Sequence, residues 1–251
     1  MPAKNKDLHG NVPDRARAAL LIIDVINDME FDRGAELLKR ALPMARRLAR
    51  LKRRAKEAGI PVIYANDNFG RWRSDFRRLL AHCLRDGVRG RPVAELLGPE
   101  PDDYFVLKAK HSGFYHTTLD LLLDYLGTET LILTGVATNI CVLFTAGDAF
   151  MRDLRLHVPE DCVAASDLGA HRHALAQMRE VLHADTTPSA RLDLARLASE
   201  GGERDPRDGG APRSAVGASR VGGRAPAPPA AKGRANGRRP RRSPARTRGA
   251  A

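Results

Sequence analysis

Cysteine is scarce in this 251-residue chain, which has only Cys83, Cys141 and Cys162. Their odd number and wide, irregular spacing argue against a disulfide framework and fit a reducing, cytoplasmic setting. No cysteine and histidine spacing of the zinc type occurs. Long apolar runs are missing too: none approaches the roughly 18 residues needed to span a bilayer, and the polar arm Met1 to Arg17 has no apolar signal core. Aromatic residues make up 5% of the chain, and none falls after Glu200. A stacking platform for single-stranded nucleic acid is therefore excluded there.

Charge is plentiful but unevenly placed. Of the net +12, +9 belongs to residues 200–251, where thirteen basic side chains face four acidic ones. The remaining body carries only about +3. After Leu197 large apolar side chains almost disappear. A stretch of Arg, Pro, Gly and Ala buries too little surface to offset ordering entropy, so 200–251 reads as a disordered tail. Such a tail is either a solvated extension or a weak, salt-sensitive, non-specific binder of nucleic acid or another polyanion.

The body, 18–199, alternates strands and helices. Ala18 to Asp24 is a continuous apolar run ending in a carboxylate, as expected for a parallel strand buried on both faces. Leu37 to Ala55 keeps helical spacing across Pro43, and Gly59 and Pro61 stop it. Val62 to Ala65 and Tyr104 to Leu107 read as strands, with a short helix and a long connection between them. Leu119 to Leu126 reads as a helix. Thr130 to Leu133 is a fourth strand, followed by a glycine-led turn and a helix that begins near Cys141. A thiol in such a first turn is expected to ionise easily, because unpaired N–H groups and the helix dipole favour negative charge. Arg155 to Val158 is a fifth strand, Asp167 to His183 a helix, Ala184 to Thr187 an edge strand and Ala190 to Ser199 a final helix. The pattern predicts an α/β fold: a doubly wound, Rossmann-like, three-layer sandwich around a parallel sheet.

Ligands of such folds lie beyond the carboxyl ends of the strands. Asp24, Lys108 and Cys141 all fall at such ends, with Lys110 as a competitor of Lys108. Together they supply a proton acceptor, a counter-charge and a nucleophile.

The motifs ALLIIDVIND, PVIYANDN, VLKAKHSGFYHTTLDLLL, LILTGVATNICVLFTAGDAF and VPEDCVAASD resemble those of the isochorismatase-like cysteine hydrolases, over roughly residues 18 to 185. That superfamily includes nicotinamidases and N-carbamoylsarcosine amidases. The resemblance implies a six-stranded parallel sheet and a homo-oligomer, dimer or tetramer. It makes Asp24 the general acid/base, Lys108 the catalytic lysine and Cys141 the nucleophile. Val136 and Ala137 match a pair joined by a cis peptide, and the amides of Ala137 and Cys141 match an oxyanion hole. The implied reaction cleaves a C–N bond of a small amide, ureido or carbamoyl substrate through a thioester-type intermediate, with Asp24 returning its proton to the leaving group and later activating water. No redox cofactor is required.

Two departures from the family pattern bear on the substrate. Where many members have Asp-x-Gln-x-x-Phe, this chain has Asp24, Ile26 and Met29, with Phe31 the nearest aromatic. The nicotinamidase metal ligands are not matched either, since the turn Asn66, Asp67, Asn68 has no histidine, so no catalytic metal is predicted. Phe31, Asn68, Trp72, Phe114 and Tyr115 are the candidate substrate-binding residues. Two other readings stand beside the amidase: vinyl-ether hydrolysis of the isochorismate type, and a polyanion-binding protein working through its tail.

Overall fold

A computed structural model describes residues 15–67 and 75–199. The expectations for the tail, Asn68, Trp72 and all but the last three residues of the N-terminal arm therefore lie outside the described residues. In chain order the elements are β1 (Ala18–Ile23), α1 (Gly34–Glu57), β2 (Val62–Asp67), α2 (Phe76–Arg85), α3 (Arg91–Leu96), β3 (Tyr104–Lys108), α4 (Leu119–Leu126), β4 (Thr130–Val136), α5 (Leu143–Phe150), β5 (Arg155–His157), β6 (Val163–Ala164), α6 (Leu168–Val181) and α7 (Leu194–Ser199).

The strands form one parallel six-stranded sheet in the order β3-β2-β1-β4-β5, with β6 also pairing with β4. Side-chain alternation along β1 explains the layers. Ala18, Leu20 and Ile22 enter one core with α1, α2 and α3, while Ala19, Leu21 and Ile23 enter a second core with α4, α5 and α6. All six β1 residues are buried, which is why the strand reads as an unbroken apolar run.

β1 and β4 are central neighbours, and the chain winds outward from them in opposite directions, so the switch point of the sheet lies between them. Their close approach depends on Gly135. Its φ is +106°, and a Cβ there would lie 2.1 Å from the carbonyl oxygen of Ile23. Gly135→Ala combines a strained backbone with a clash, each costing about 1 to 3 kcal/mol. The expected result is a clear fall in the urea midpoint with an unchanged slope.

The sixth strand differs from expectation. Ala184 to Thr187 contributes only an isolated bridge, Asp185 to His157, and the sixth strand is instead Val163–Ala164, which pairs with Gly135 and Val136 beyond the reach of β5. β4 also runs through Val136 rather than ending at Leu133, and the last helix is shortened to Leu194–Ser199 after a separate turn at Ser189–Arg191. Among the described residues no helix is long and apolar enough to cross a membrane.

Candidate active site

Asp24 is the first residue after β1 and adopts φ 51°, a left-handed conformation unusual for a residue with a side chain. Its neighbourhood fixes it there. The Asp67 amide donates to Asp24 Oδ1 at 2.7 Å, and the Asp24 amide donates to the Ala65 carbonyl. The following loop is pinned by Asn66, whose Nδ2 donates to the Ile26 carbonyl at 2.7 Å. It is also pinned by Gly90, whose amide donates to the Asp28 carbonyl at 2.8 Å.

Cys141 leaves β4 on a π-helical turn, Thr138–Val142, in which the Val142 amide reaches back five residues to the Ala137 carbonyl. Such widened turns recur at functional sites. The Val136–Ala137 peptide that precedes the turn is cis. Thr138 is fully buried and its hydroxyl lies 2.9 Å from His171 Nδ1, which anchors the turn to α6. Burial holds the His171 imidazole below its ordinary range.

Lys108 ends β3, two strand positions from β1 or about 10 Å at normal spacing. Its side chain crosses the end of β2. Asp67 is its register partner on that strand, with Oδ2 3.6 Å from the ammonium. Lys108 Nζ then reaches Asp24 Oδ2 at 2.7 Å and Cys141 Sγ at 3.5 Å. Lys110, the competing lysine, contributes its backbone carbonyl, which accepts from Lys108 Nζ at 3.2 Å.

Burial governs the charges. Asp24 and Lys108 are 5% and 1% exposed. Desolvation raises the Asp24 carboxyl above its ordinary range, outweighing the attraction of Lys108. For Lys108 burial acts downward, but the facing Asp24, Cys141 and Asp67 groups outweigh it and keep the ammonium charged. The Cys141 thiol is pushed up to about 12, first by burial and then by the Asp24 charge, with Lys108 pulling the other way. This corrects the expectation of an easily ionised thiol. The resting sulfur holds its proton, with the Asp24 carboxyl and the Lys108 ammonium beside it.

The loop after Lys108 is clamped onto the cysteine helix. Ser112 Oγ donates to Asp148 Oδ2, the Gly113 amide donates to Thr145 Oγ1 at 3.0 Å, and that hydroxyl donates to the Cys141 carbonyl. These contacts hold the exposed His111 ring beside the thiol, with Nδ1 4.0 Å from Sγ.

The pocket candidates fare differently from the three charged and nucleophilic groups. Phe114 is buried at 4% exposure in the core, under the Arg152 guanidinium. Phe31 and Tyr115 are about half exposed. Cys83 and Cys162 are fully buried. Asp67, His111 and His171 are not among the site residues that the sequence pattern points to. Strand parity was the available signal for Asp67, which follows Ile63 and Ala65 on the face that Lys108 shares. Among the described residues no group of three or more His, Cys, Asp or Glu side chains is disposed to hold a metal ion.

Residues 18–189 match the family model described as the isochorismatase domain. The chain belongs to the isochorismatase family. It is 39% identical over 178 residues to the uncharacterized isochorismatase family protein YaaI of Bacillus subtilis, covering 71% of this chain and 97% of that one. It is 30% identical over 191 residues to the ureidoacrylate amidohydrolase RutB of Methylobacterium radiotolerans, covering 66% of this chain and 74% of that one. Among solved structures, N-carbamoylsarcosine amidase from Thermoplasma acidophilum superposes with a TM-score of 0.53 at 29% identity, over 70% of this chain and 99% of that chain. Isochorismatase-family relatives are hydrolases, amidohydrolases among them, and this chain is a hydrolase of that family.

Proposed function

We propose that the protein is a cysteine hydrolase that cleaves a C–N bond of a small amide, ureido or carbamoyl compound through a covalent intermediate on Cys141. The observation that carries the reading is the buried Lys108 ammonium, 2.7 Å from the Asp24 carboxylate and 3.5 Å from the Cys141 sulfur. A cation shared by a base and a thiol lets the proton pass between them while net charge stays constant. Asp24 takes the thiol proton and Sγ attacks the carbonyl carbon. The amides of Ala137 and Cys141 receive the developing oxyanion, each donor lowering the barrier by about 3 to 4 kcal/mol. Asp24 then hands its proton to the departing nitrogen, and water releases the acid from the sulfur.

The similarity to a ureidoacrylate amidohydrolase and an N-carbamoylsarcosine amidase supports the substrate class. Vinyl-ether hydrolysis is the weaker reading, because protonating an enol ether gives a thiol beside a base and an ammonium no part to play. The deciding experiment assays a panel of small amides, carbamoyl compounds and ureides for ammonia, with Cys141→Ala as the blank. Ammonia release that depends on Cys141 is expected. Activity retained by the alanine variant, or release of pyruvate from isochorismate in place of ammonia, contradicts it.

A further inference from the structure

The Cys141 sulfur has two kinds of neighbour. Asp24 and Lys108 are buried, with Asp24 Oδ1 accepting from the Asp67 amide and Oδ2 paired with the Lys108 ammonium, which is itself 3.5 Å from Sγ. The other neighbour is the exposed His111 ring, with Nδ1 4.0 Å from Sγ. This placement is built rather than incidental. Lys108 Nζ holds the Lys110 carbonyl and so curls the chain back one residue before His111. Ser112, one residue after it, is tied to Asp148. The Phe144 ring flanks the imidazole at 5.5 Å between centroids.

From this geometry we propose that His111 is a catalytic residue: the base that hydrolyses the covalent intermediate, while Asp24 serves the formation of that intermediate. The proposal rests on the cysteine-hydrolase reading above. Once the nitrogen leaving group has departed, the acyl carbon is bonded to Sγ and water must reach it from solvent, to which the neighbouring His111 is exposed. A water hydrogen-bonded to Nδ1 at about 2.8 Å stands about 3 to 3.5 Å from that carbon, which is an attack distance. A span of 4.0 Å between Nδ1 and Sγ leaves room for that arrangement. The water oxygen bonds to the acyl carbon and its proton passes to Nδ1. The C–S bond then breaks, its electron pair stays on Sγ beside the Lys108 ammonium, and the carboxylic or carbamic acid departs. The Nδ1 proton returns to the sulfur, which restores the thiol and a neutral imidazole.

The full-length protein and its His111→Ala, His111→Gln and Cys141→Ala variants are compared with p-nitrophenyl acetate, which reports both half-reactions without knowledge of the natural substrate. Acylation of Cys141 releases p-nitrophenolate in the first turnover, and hydrolysis of the acetyl-enzyme sets the steady rate. In both His111 variants the first-turnover rate is expected to stay within twofold, and the steady rate to fall at least about tenfold, below the usual range for loss of a base because Asp24 remains. Acetylated Cys141 then accumulates in the peptide mass spectrum, and added imidazole restores the steady rate of His111→Ala. The glutamine variant keeps a polar side chain but no base, so full activity there overturns the proposal. Equal loss in both phases, or no change in either, also overturns it. If p-nitrophenolate release by the unaltered protein is independent of Cys141, the cysteine-hydrolase reading fails first and this proposal with it.

Discussion

Asp24→Asn is expected to separate two properties of Cys141 that usually move together, making the thiol easier to alkylate while turnover falls by about 10²- to 10⁴-fold, the span of a lost general acid/base. The sign follows from the charges around the sulfur. Burial and the Asp24 carboxylate both hold the thiol up, to about 12, and Lys108 alone opposes them. At pH 8 such a thiol is almost wholly protonated. An asparagine removes the negative charge but keeps the side-chain volume and an oxygen for the Asp67 amide, which Asp24 Oδ1 now accepts at 2.7 Å. Lys108 is then the dominant charge 3.5 Å from the sulfur, and the ionised fraction at a given pH rises. Iodoacetamide labelling of Cys141 at pH 8 should therefore quicken. Catalysis should slow all the same, because the departing nitrogen has lost its proton donor and no group removes the thiol proton in step with attack. Labelling and turnover that fall together, or turnover that survives, would show that Asp24 does not carry the proton.

That experiment also marks where sequence reasoning reached its limit. Asp24 and Cys141 are legible because each follows a short apolar run bounded by polar or turn residues, the pattern of a parallel strand buried on both faces. The ionisation of Cys141 is not legible: position in a first helical turn argues for a low thiol pKa, whereas the fold adds burial and an adjacent carboxylate that act the other way. Lys108 is legible as a strand end, but its reach is not, because that depends on a side chain crossing β2. His111 and the Ser112–Asp148 tie are set by contacts between residues 30 and 36 positions apart, which no local pattern encodes. The sheet shows the same division. Five strands announce themselves by composition, while β6 is two residues long and pairs with Gly135 and Val136, where β4 continues past Ile132, its last partner on β5.

The opposite end of β3 from Lys108 carries the second large effect. Asp103 immediately precedes the strand, and its side chain is 1% exposed. Its Oδ2 lies 2.6 Å from Lys52 Nζ, whose own side chain is 6% exposed, and its Oδ1 lies 3.2 Å from Lys56 Nζ. Lys52 also donates to the Tyr64 hydroxyl and the Gly98 carbonyl, each at 3.1 Å, and Tyr64 donates to the Leu97 carbonyl. The cluster thus binds α1, β2 and the segment leading into β3 in the interior. Asp103→Ala leaves the buried Lys52 ammonium facing Glu100, whose side chain is 54% exposed, in place of a fully enclosed carboxylate. Breaking one side of a buried pair costs about 3 to 5 kcal/mol, since the remaining charge stays out of water without its closest counter-charge. Urea denaturation of Asp103→Ala should show a loss of that size, and a loss below about 1 kcal/mol would mean that water already reaches Lys52. Removing both charges, as Lys52→Met with Asp103→Leu, should recover much of the stability, because an apolar pair of similar volume escapes the desolvation penalty. The two variants then test how far β3 depends on its anchored end. A strand loosened at Asp103 holds Lys108 less firmly over the sulfur, so Asp103→Ala should lose activity at temperatures where it is still folded, and the doubly substituted protein should not.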